Sequence, residues 1–406
     1  KSRQRYFMKI LLVCQYYYPE PFRINDVAEG LVGMGHEVTV LTGVPNYPMG
    51  KIYDGYKKKQ KREENINGVK VYRTFTIARR RGVFFRFLNY YSFAFSSSKF
   101  IKKLPNDFDV ILTGALSPIM MACAALKYKK KYGKKIVLLC YDLWPESLTA
   151  GGVKKNSLIF KHYKKVSEKI YKSADIILNT SKMFKNYFSR EFGIENTHYL
   201  PQYAEKIFLP EKCSKKPDGY IDLMFAGNIG GVQSVETILF AAEQLKDNKK
   251  IRFHIVGDGS DYRRLLEMLS AMRLENVFFY GRKPLSEMQK FYSMADAMLV
   301  TMIKSDVLSL TLPGKIQTYM AAGKPIIGAI DGETAGVIEE SGCGFCGGAE
   351  DADGLVLSIN SFIRYYKAHD GDLSELQKRA TDYYEKYFSR EAFFDNLETY
   401  LEEAAR

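Results

Sequence analysis

Short apolar runs alternate with longer stretches of helical period along almost the whole chain. KILLVCQ at 9–15 is continuously apolar, the pattern of a strand buried on both faces of a parallel sheet. INDVAEGLVGMG at 24–35 is helical in period and stops at Gly33 and Gly35; EVTVLT at 37–42 is the next strand. The same reading predicts strands at 69–74, 109–113, 135–140, 176–179 and 198–200, with helices near 83–103, 118–132, 157–173 and 181–191. A second series follows Pro201, with strands at 221–227, 251–257, 276–281, 296–302 and 325–329, and helices at 234–246, 260–271, 286–295 and 313–322. Repeated βα units imply doubly wound parallel sheets, whose ligands bind beyond the C-terminal ends of the strands. FSREAFFDNLETYLEEAAR then places Phe393, Leu397 and Leu401 on one helical stripe that has to be buried.

These patterns divide the 406 residues into a first domain at 1–203, a second at 204–386 and a terminal helix at 387–406 expected to return to the first domain. The linker is expected near 202–217, which contains Pro210 and Pro217, and KSRQRYF at the start reads as an extension outside the fold. Charge divides at the same place. Residues 1–200 hold 36 Lys and Arg against 15 Asp and Glu, a balance of +21, whereas 201–406 hold 24 against 31, a balance of −7. Such asymmetry suggests that the first half meets a polyanion or an anionic membrane. No signal peptide is expected, and no apolar run approaches the roughly 20 residues that span a bilayer. Six scattered cysteines suit small buried thiols in a reducing cytosol, including Cys343 and Cys346, whose CxxC spacing lacks a second half-site. The five histidines show no ligand spacing, so no metal is expected.

The chemistry is concentrated in the second half. Gly227-Asn228-Ile229-Gly230-Gly231 closes a strand and opens a helix, and Val256-Gly257-Asp258-Gly259 repeats the arrangement one strand later. Glycines there permit close approach of backbone to phosphate, although a plain structural turn accounts better for the second. In LTLPGKIQTYMAAGKPII at 310–327, Pro313 is expected at the first helical position, followed by Gly314 and Lys315. A cation is ordinarily unfavourable in a first turn, because the helix dipole is positive there; a bound anion removes the conflict. Two such turns in one α/β domain point to a diphosphate between them.

The order GNIGGVQ, IVGDG, VFFYGRKP, ADAMLV, LPGKIQTYMAAGKPII and ESGCGF resembles the donor half of glycosyltransferase family 4. YYYPEPFRINDVAEGLVGMGHEVTVLTGVPNYPMG and CYDLWPES resemble the branch containing L-fucosamine transferases of surface-polysaccharide synthesis, and the similarity covers residues 8–390. The resemblance implies a GT-B fold, two Rossmann-like domains facing each other across a cleft. It also implies a retaining, metal-independent enzyme that uses a UDP-sugar as substrate and no cofactor. The family's usual Glu-x7-Glu pair falls on Leu310 and Thr318, and its Arg and Lys after the first donor strand fall on Asn228 and Gln233. Donor binding is therefore expected from Gly227, Asn228, Gly230, Gln233, Gly257, Asp258, Arg282, Pro313, Gly314, Lys315 and Thr318.

Breaking the anomeric bond leaves negative charge on the departing phosphate, so helix N-termini and Lys or Arg must stabilise it in the absence of a metal. Lys315 and Arg282 are candidates for that role, with Arg23 expected to reach across from the first domain. Asp142 and Glu146, just past the strand KIVLLC, are candidates to orient the acceptor or take its proton, or are simply loop-capping carboxylates around Trp144. Glu20, Asn25, Tyr47 and Trp144 are expected on the acceptor side, and Arg23 equally suits a surface pair with Asp26. Arg79, Arg80 and Arg81 precede FFRFLNYYSFAF, where Phe84, Leu88, Tyr91 and Phe95 share one helical face and Lys99, Lys102 and Lys103 follow. That face suits an anionic membrane surface or, equally, an ordinary core. Lys57 to Lys59 and Lys129 to Lys131 add to the basic field.

The expected partners are a UDP-sugar, a polyprenyl-diphosphate-linked saccharide and the inner face of the cell membrane, not nucleic acid, for which no binding module is apparent. The expected reaction is transfer of a sugar, an N-acetylated amino sugar by resemblance, in capsule or O-antigen synthesis by a cytoplasmic, peripheral membrane protein. A UDP-sugar 2-epimerase and a non-catalytic membrane-surface protein are the alternatives.

Overall fold

The computed structural model describes residues 6–406 except 58, 59, 81, 214, 216 and 217. Part of the N-terminal extension, Lys58 and Lys59, Arg81 and Pro217 thus lie outside the described residues. Contacts divide the chain into two compact units. The first comprises 1–180, 184–200 and 394–406, and the second 181–183 and 201–393.

The first unit is built on β1 (Lys9–Val13), β2 (Glu37–Gly43), β3 (Glu63–Ile66), β4 (Val69–Thr74), β5 (Val110–Ala115), β6 (Ile136–Cys140), β7 (Ile176–Asn179) and β8 (Thr197–Tyr199). Their order is β3-β4-β2-β1-β5-β6-β7-β8, parallel except for β3, which runs antiparallel to β4. Asn67 and Gly68 join that hairpin at φ 51° and 83°. An Asn-Gly pair supplies the two left-handed residues of a tight hairpin turn, so ENINGV carried the signal for β3, which the periodicity reading missed. β1 sits between β2 and β5, so strand order reverses beside β1.

The terminal helix Arg390–Ala405 contributes its residues from Phe394 onward to this first unit. Leu397 and Leu401 are fully buried, each such side chain contributing about 1.5–3 kcal/mol. Phe394 occupies the space a side chain on Gly30 would take: a Cβ there would fall 2.1 Å from its ring. The Met8 N–H donates to His36 Nδ1, leaving Nε2 to donate to Glu398 Oε1 at 3.1 Å.

The second unit contains β9 (Ile221–Ala226), β10 (Ile251–Val256), β11 (Val277–Gly281), β12 (Ala297–Thr301), β13 (Ile326–Ala329) and β14 (Gly344–Gly347). All run parallel, in the order β11-β10-β9-β12-β13-β14. The chain winds outward from β9 to one edge and then returns to lay down β12 to β14 on the other side. The crevice for a ligand therefore opens above β9. Alternate residues Ile221, Leu223 and Phe225 of β9 and Ile251, Phe253 and Ile255 of β10 enter one apolar core. β14 was missed because Gly344-Phe345-Cys346-Gly347 is too poor in apolar residues to read as a strand.

Candidate functional site

The C-terminal ends of β9 and β10 turn on glycines whose hydrogen atoms are structurally required. Gly257, at φ 150°, would place a Cβ 1.8 Å from the Gly227 carbonyl oxygen, and Gly259 would place one 2.2 Å from that of Ile229. Backbone bonds from Gly227 N–H to Val256 O and from Ile229 N–H to Asp258 O continue the ladder past the strands. The plain turn expected at Gly257 is thus a tight packing of two loops, which leaves bare backbone at the crevice.

Helix Gly314–Ala321 is fixed against this edge by Tyr319, whose hydroxyl accepts from Ala226 N–H and donates to Ala226 O. Pro313 is extended, at ψ 136°, and caps the helix instead of occupying its first position; helical geometry starts at Gly314. Lys315 then turns inward. Its Nζ is sealed from solvent, has no hydrogen-bond partner among the described residues and lies 3.9 Å from the centre of the Phe225 ring. A Cβ on Gly227 would approach that Nζ to 3.0 Å. Burial pushes the Lys315 ammonium down to a pKa of about 7.

These residues line a cavity of about 350 Å³ within the second unit, inside the range typical of small-molecule sites. Of the expected donor residues, Gly227, Asn228, Gly257, Asp258, Arg282, Lys315 and Thr318 line it. Gly230 and Gln233 shape the neighbouring turn instead. Gln233 Oε1 accepts from Gly230 N–H and from Asn228 Nδ2, so the amides at the positions of the family's two cations satisfy each other. Thr318 donates to its own helix at Gly314 O. The cavity adds Glu205, Phe208, Lys283 and Tyr292, which the sequence reading did not single out. GRKP at 281–284 held the signal for Lys283, whereas Glu205 and Phe208 come from the linker, where no periodicity marks them.

In the first unit, three expected contacts turn inward and are corrected. Glu20, expected on the acceptor side, is 1% exposed. Its carboxylate accepts from the backbone N–H groups of Asn46 at 2.8 Å, Tyr47 at 2.7 Å and Tyr17 at 3.3 Å. Burial outweighs those bonds and pushes its pKa up to about 7. Trp144 is 2% exposed; its indole N–H donates to Ser117 Oγ, and its ring packs edge-on against Tyr90 and Tyr163. Glu146 is buried beneath the Tyr187 hydroxyl, with the Lys155 ammonium 3.1 Å away. A large aromatic ring and two carboxylates read from sequence as contacts, but core packing and orphan loop N–H groups claim them first.

Asp142 remains partly exposed at the end of β6, its carboxyl raised above the usual range by burial and partly restrained by Ser117. Arg23 begins helix Arg23–Gly33, and Asn25 donates to Glu20 O. Tyr47 packs against Tyr16 and Phe22 with the Arg79 guanidinium over its ring. Helix Val83–Phe100 buries Asn89, Tyr90, Phe93 and Ser97 and leaves Phe84 and Phe95 67% and 65% exposed. Of the expected face, Phe84 and Phe95 are thus exposed whereas Leu88 and Tyr91 are half-buried; Phe87 beside them is exposed as well, and the opposite face belongs to the core. Among the described residues no cluster of His, Cys, Asp or Glu has the arrangement to hold a metal ion, no helix is long and apolar enough to cross a membrane, and all six cysteines are free thiols.

Comparison with known proteins agrees with this division. A family model described as "Glycosyltransferase Family 4" matches residues 23–201, and one described as "Glycosyl transferases group 1" matches residues 211–383. The chain is 28% identical to the glycosyltransferase WbjE of Pseudomonas aeruginosa, over 70% of this chain and 73% of that protein. It is 24% identical over 92% of its length, and 97% of the relative's, to WcaI of Escherichia coli K12, named as a colanic acid biosynthesis glycosyl transferase. Among solved structures, sucrose-phosphate synthase of Thermosynechococcus elongatus superposes with a TM-score of 0.74 at 16% identity, covering 98% of both chains. Anabaena HepE in complex with UDP superposes at 0.68 with 13% identity, covering 98% of this chain and 100% of that one. At such identities the structural likeness speaks for the fold alone.

Proposed function

We propose, from the premise that this chain belongs to the family 4 glycosyltransferases and has the GT-B fold, that it transfers a sugar from a UDP-sugar to a polyprenyl-diphosphate-linked saccharide in capsule or O-antigen synthesis. The observation that carries the donor half of this reading is Lys315. An unpaired ammonium sealed against Phe225 costs the free protein stability, and a phosphate entering the cavity supplies the missing charge. Arg282 and Lys283 line the same cavity, and the N-terminus of helix Gly314–Ala321 adds its dipole. The choice of UDP rests on the family branch and is supported by the UDP bound to HepE. The choice of polysaccharide synthesis is supported by WcaI's name, and an N-acetylated amino sugar by the branch alone.

In this reading the bond from the anomeric carbon to the diphosphate oxygen breaks as the acceptor oxygen bonds to that carbon. The electron pair leaves on the phosphate, where Lys315 and the backbone N–H groups stabilise it, and the acceptor proton passes to a phosphate oxygen. The anomeric configuration is retained, and neither a metal nor a cofactor is required. Asp142, the partly exposed carboxyl at the end of β6, orients the acceptor hydroxyl. The exposed Phe84, Phe87 and Phe95, with Lys99, Lys102 and Lys103 beyond them, hold the first unit on the anionic inner face of the membrane.

Titration with UDP tests the donor site: binding that Lys315→Met weakens roughly tenfold to a hundredfold is expected from loss of a buried charge-assisted contact. No UDP binding by the unaltered protein would remove the reading. Co-sedimentation with anionic liposomes, declining as salt is raised, tests the membrane contact.

A further inference from the structure

A second cavity, about 640 Å³, lies in the first unit and shares Lys99 and Lys103 with the basic end of the exposed aromatic helix. One side comes from the ends of β2 and β4, with Val44, Thr74, Phe75 and Thr76; the other comes from Phe100, Lys99 and Lys103, with Ile52, Tyr56 and Arg62 completing it. Its walls are mainly apolar and aromatic, yet four cations and no carboxylate line it. Arg73 is already committed: its guanidinium donates to Glu64, Gly43 O and Tyr18 O and lies over the Tyr56 ring. The other three are not. Arg62 Nη1 is buried without a hydrogen-bond partner among the described residues, and burial together with the Arg73 charge lowers the Arg62 pKa. Lys99 and Lys103 have no carboxylate partner among the described residues; their ammonium groups sit over the rings of Phe95 and Phe100. Like charges gathered on an apolar cavity repel one another and raise the energy of the free protein. An occupant that is both apolar and anionic removes that cost.

We infer that this cavity binds the isoprenoid diphosphate portion of the acceptor, its diphosphate on Arg62, Lys99 and Lys103 and the first isoprene units against Tyr56, Phe75 and Phe100. The inference rests on the lipid-linked acceptor reading and gives it a location. Phe75 is largely exposed at the cavity, and Phe95 lies one helical turn before Lys99, so the remaining chain can pass along the exposed aromatic stripe. A bare phosphate would use the cations but not the aromatic walls, and a neutral lipid would use the walls but leave the cations unpaired. Neither alone fits the lining.

Calorimetric titration with farnesyl diphosphate, inorganic pyrophosphate and farnesol distinguishes these cases. The expected result is farnesyl diphosphate binding at least tenfold more tightly than either fragment. Lys99→Gln with Lys103→Gln, and separately Arg62→Gln, should each weaken it about tenfold, with UDP affinity unchanged and the thermal midpoint no lower. Equal affinity for pyrophosphate, or farnesyl diphosphate binding untouched by these substitutions, would overturn the assignment. The UDP titration on the same samples is independent: protein that binds UDP but shows no selectivity for farnesyl diphosphate retains the donor site and loses only this one.

Discussion

Both units are doubly wound parallel sheets with loops gathered at the C-terminal strand ends, yet they treat their charged groups there in opposite ways. In the second unit the prominent cation, Lys315, is buried and left without a partner. In the first, Glu20 and Glu146 are buried and already engaged by backbone N–H groups, a tyrosine or a lysine. A buried group with satisfied partners fixes a loop. A buried charge without one is a cost that a bound anion, or loss of the proton, relieves, and on this difference rest the ligand role proposed for Lys315 and the scaffold role of Glu20.

The sharpest way to break this contrast is Lys315→Met. Transfer is expected to fall by about a hundredfold or more, because the lost contact strengthens as charge develops on the leaving phosphate. The free protein should become more stable, since an unpaired buried cation is replaced by an apolar chain of similar length. A lower thermal midpoint would show that Lys315 serves the fold. Protonation sharpens the same point. The Lys315 pKa of about 7 lies below the value of 10.5 for a free lysine, so between those limits the unfolded chain binds a proton that the folded one lacks. This group's penalty is full below about pH 7 and is relieved as pH rises toward 10.5. UDP binding at pH 8 should therefore take up a proton, read as heats that vary with the buffer's ionisation enthalpy, and Lys315→Met should abolish that uptake.

Glu20→Gln probes the opposite kind of group. The amide retains one acceptor oxygen for Asn46 and Tyr47 but presents NH₂ where Tyr17 N–H needs an acceptor, at a cost of about 1–3 kcal/mol. For a unit of this size that lowers the thermal midpoint by roughly 2–4 °C per kcal/mol. The raised pKa gives a sign as well. The folded state holds the Glu20 proton more tightly, so its contribution to stability is complete below about pH 4.5 and is lost as pH rises through about 7. A midpoint-against-pH profile should therefore be flatter in Glu20→Gln across that window, while UDP affinity stays unchanged. Loss of UDP binding in this variant would contradict the scaffold role.

These two groups were not equally easy to read from the chain. Apolar runs placed most strands to within a residue or two, because KILLV and IVLLC are apolar at nearly every position and a parallel sheet buries both faces of its strands. LPGK made Lys315 conspicuous through a local conflict, a cation at the positive end of a helix, that needs no tertiary information. Glu20, Trp144 and Glu146 carried no such conflict. Their fate depends on partners 26 to 41 residues away, so only the assembled unit shows them turned inward. The cavity of Arg62, Lys99 and Lys103 was visible only as a basic tendency, since its cations come from separate segments that converge through β2, β4 and helix Val83–Phe100.

Asp142 is where the contrast is narrowest, and Asp142→Asn is the smallest expected effect. Its carboxyl is the one in the first unit's expected catalytic set that stays partly exposed, and burial raises its pKa, as suits a general base. If the departing phosphate takes the acceptor proton, Asp142 only orients the hydroxyl, and an amide of the same shape preserves most of that contact. Transfer should then fall about threefold to tenfold, chiefly through acceptor KM, with the pH profile of kcat unchanged. A protein base would behave otherwise: kcat would drop by about a hundredfold or more and lose its acidic limb. That result would give the first unit a carboxylate that acts in the chemistry, and the proposed division of labour between an orienting acceptor side and a charged donor side would have to be redrawn around Asp142.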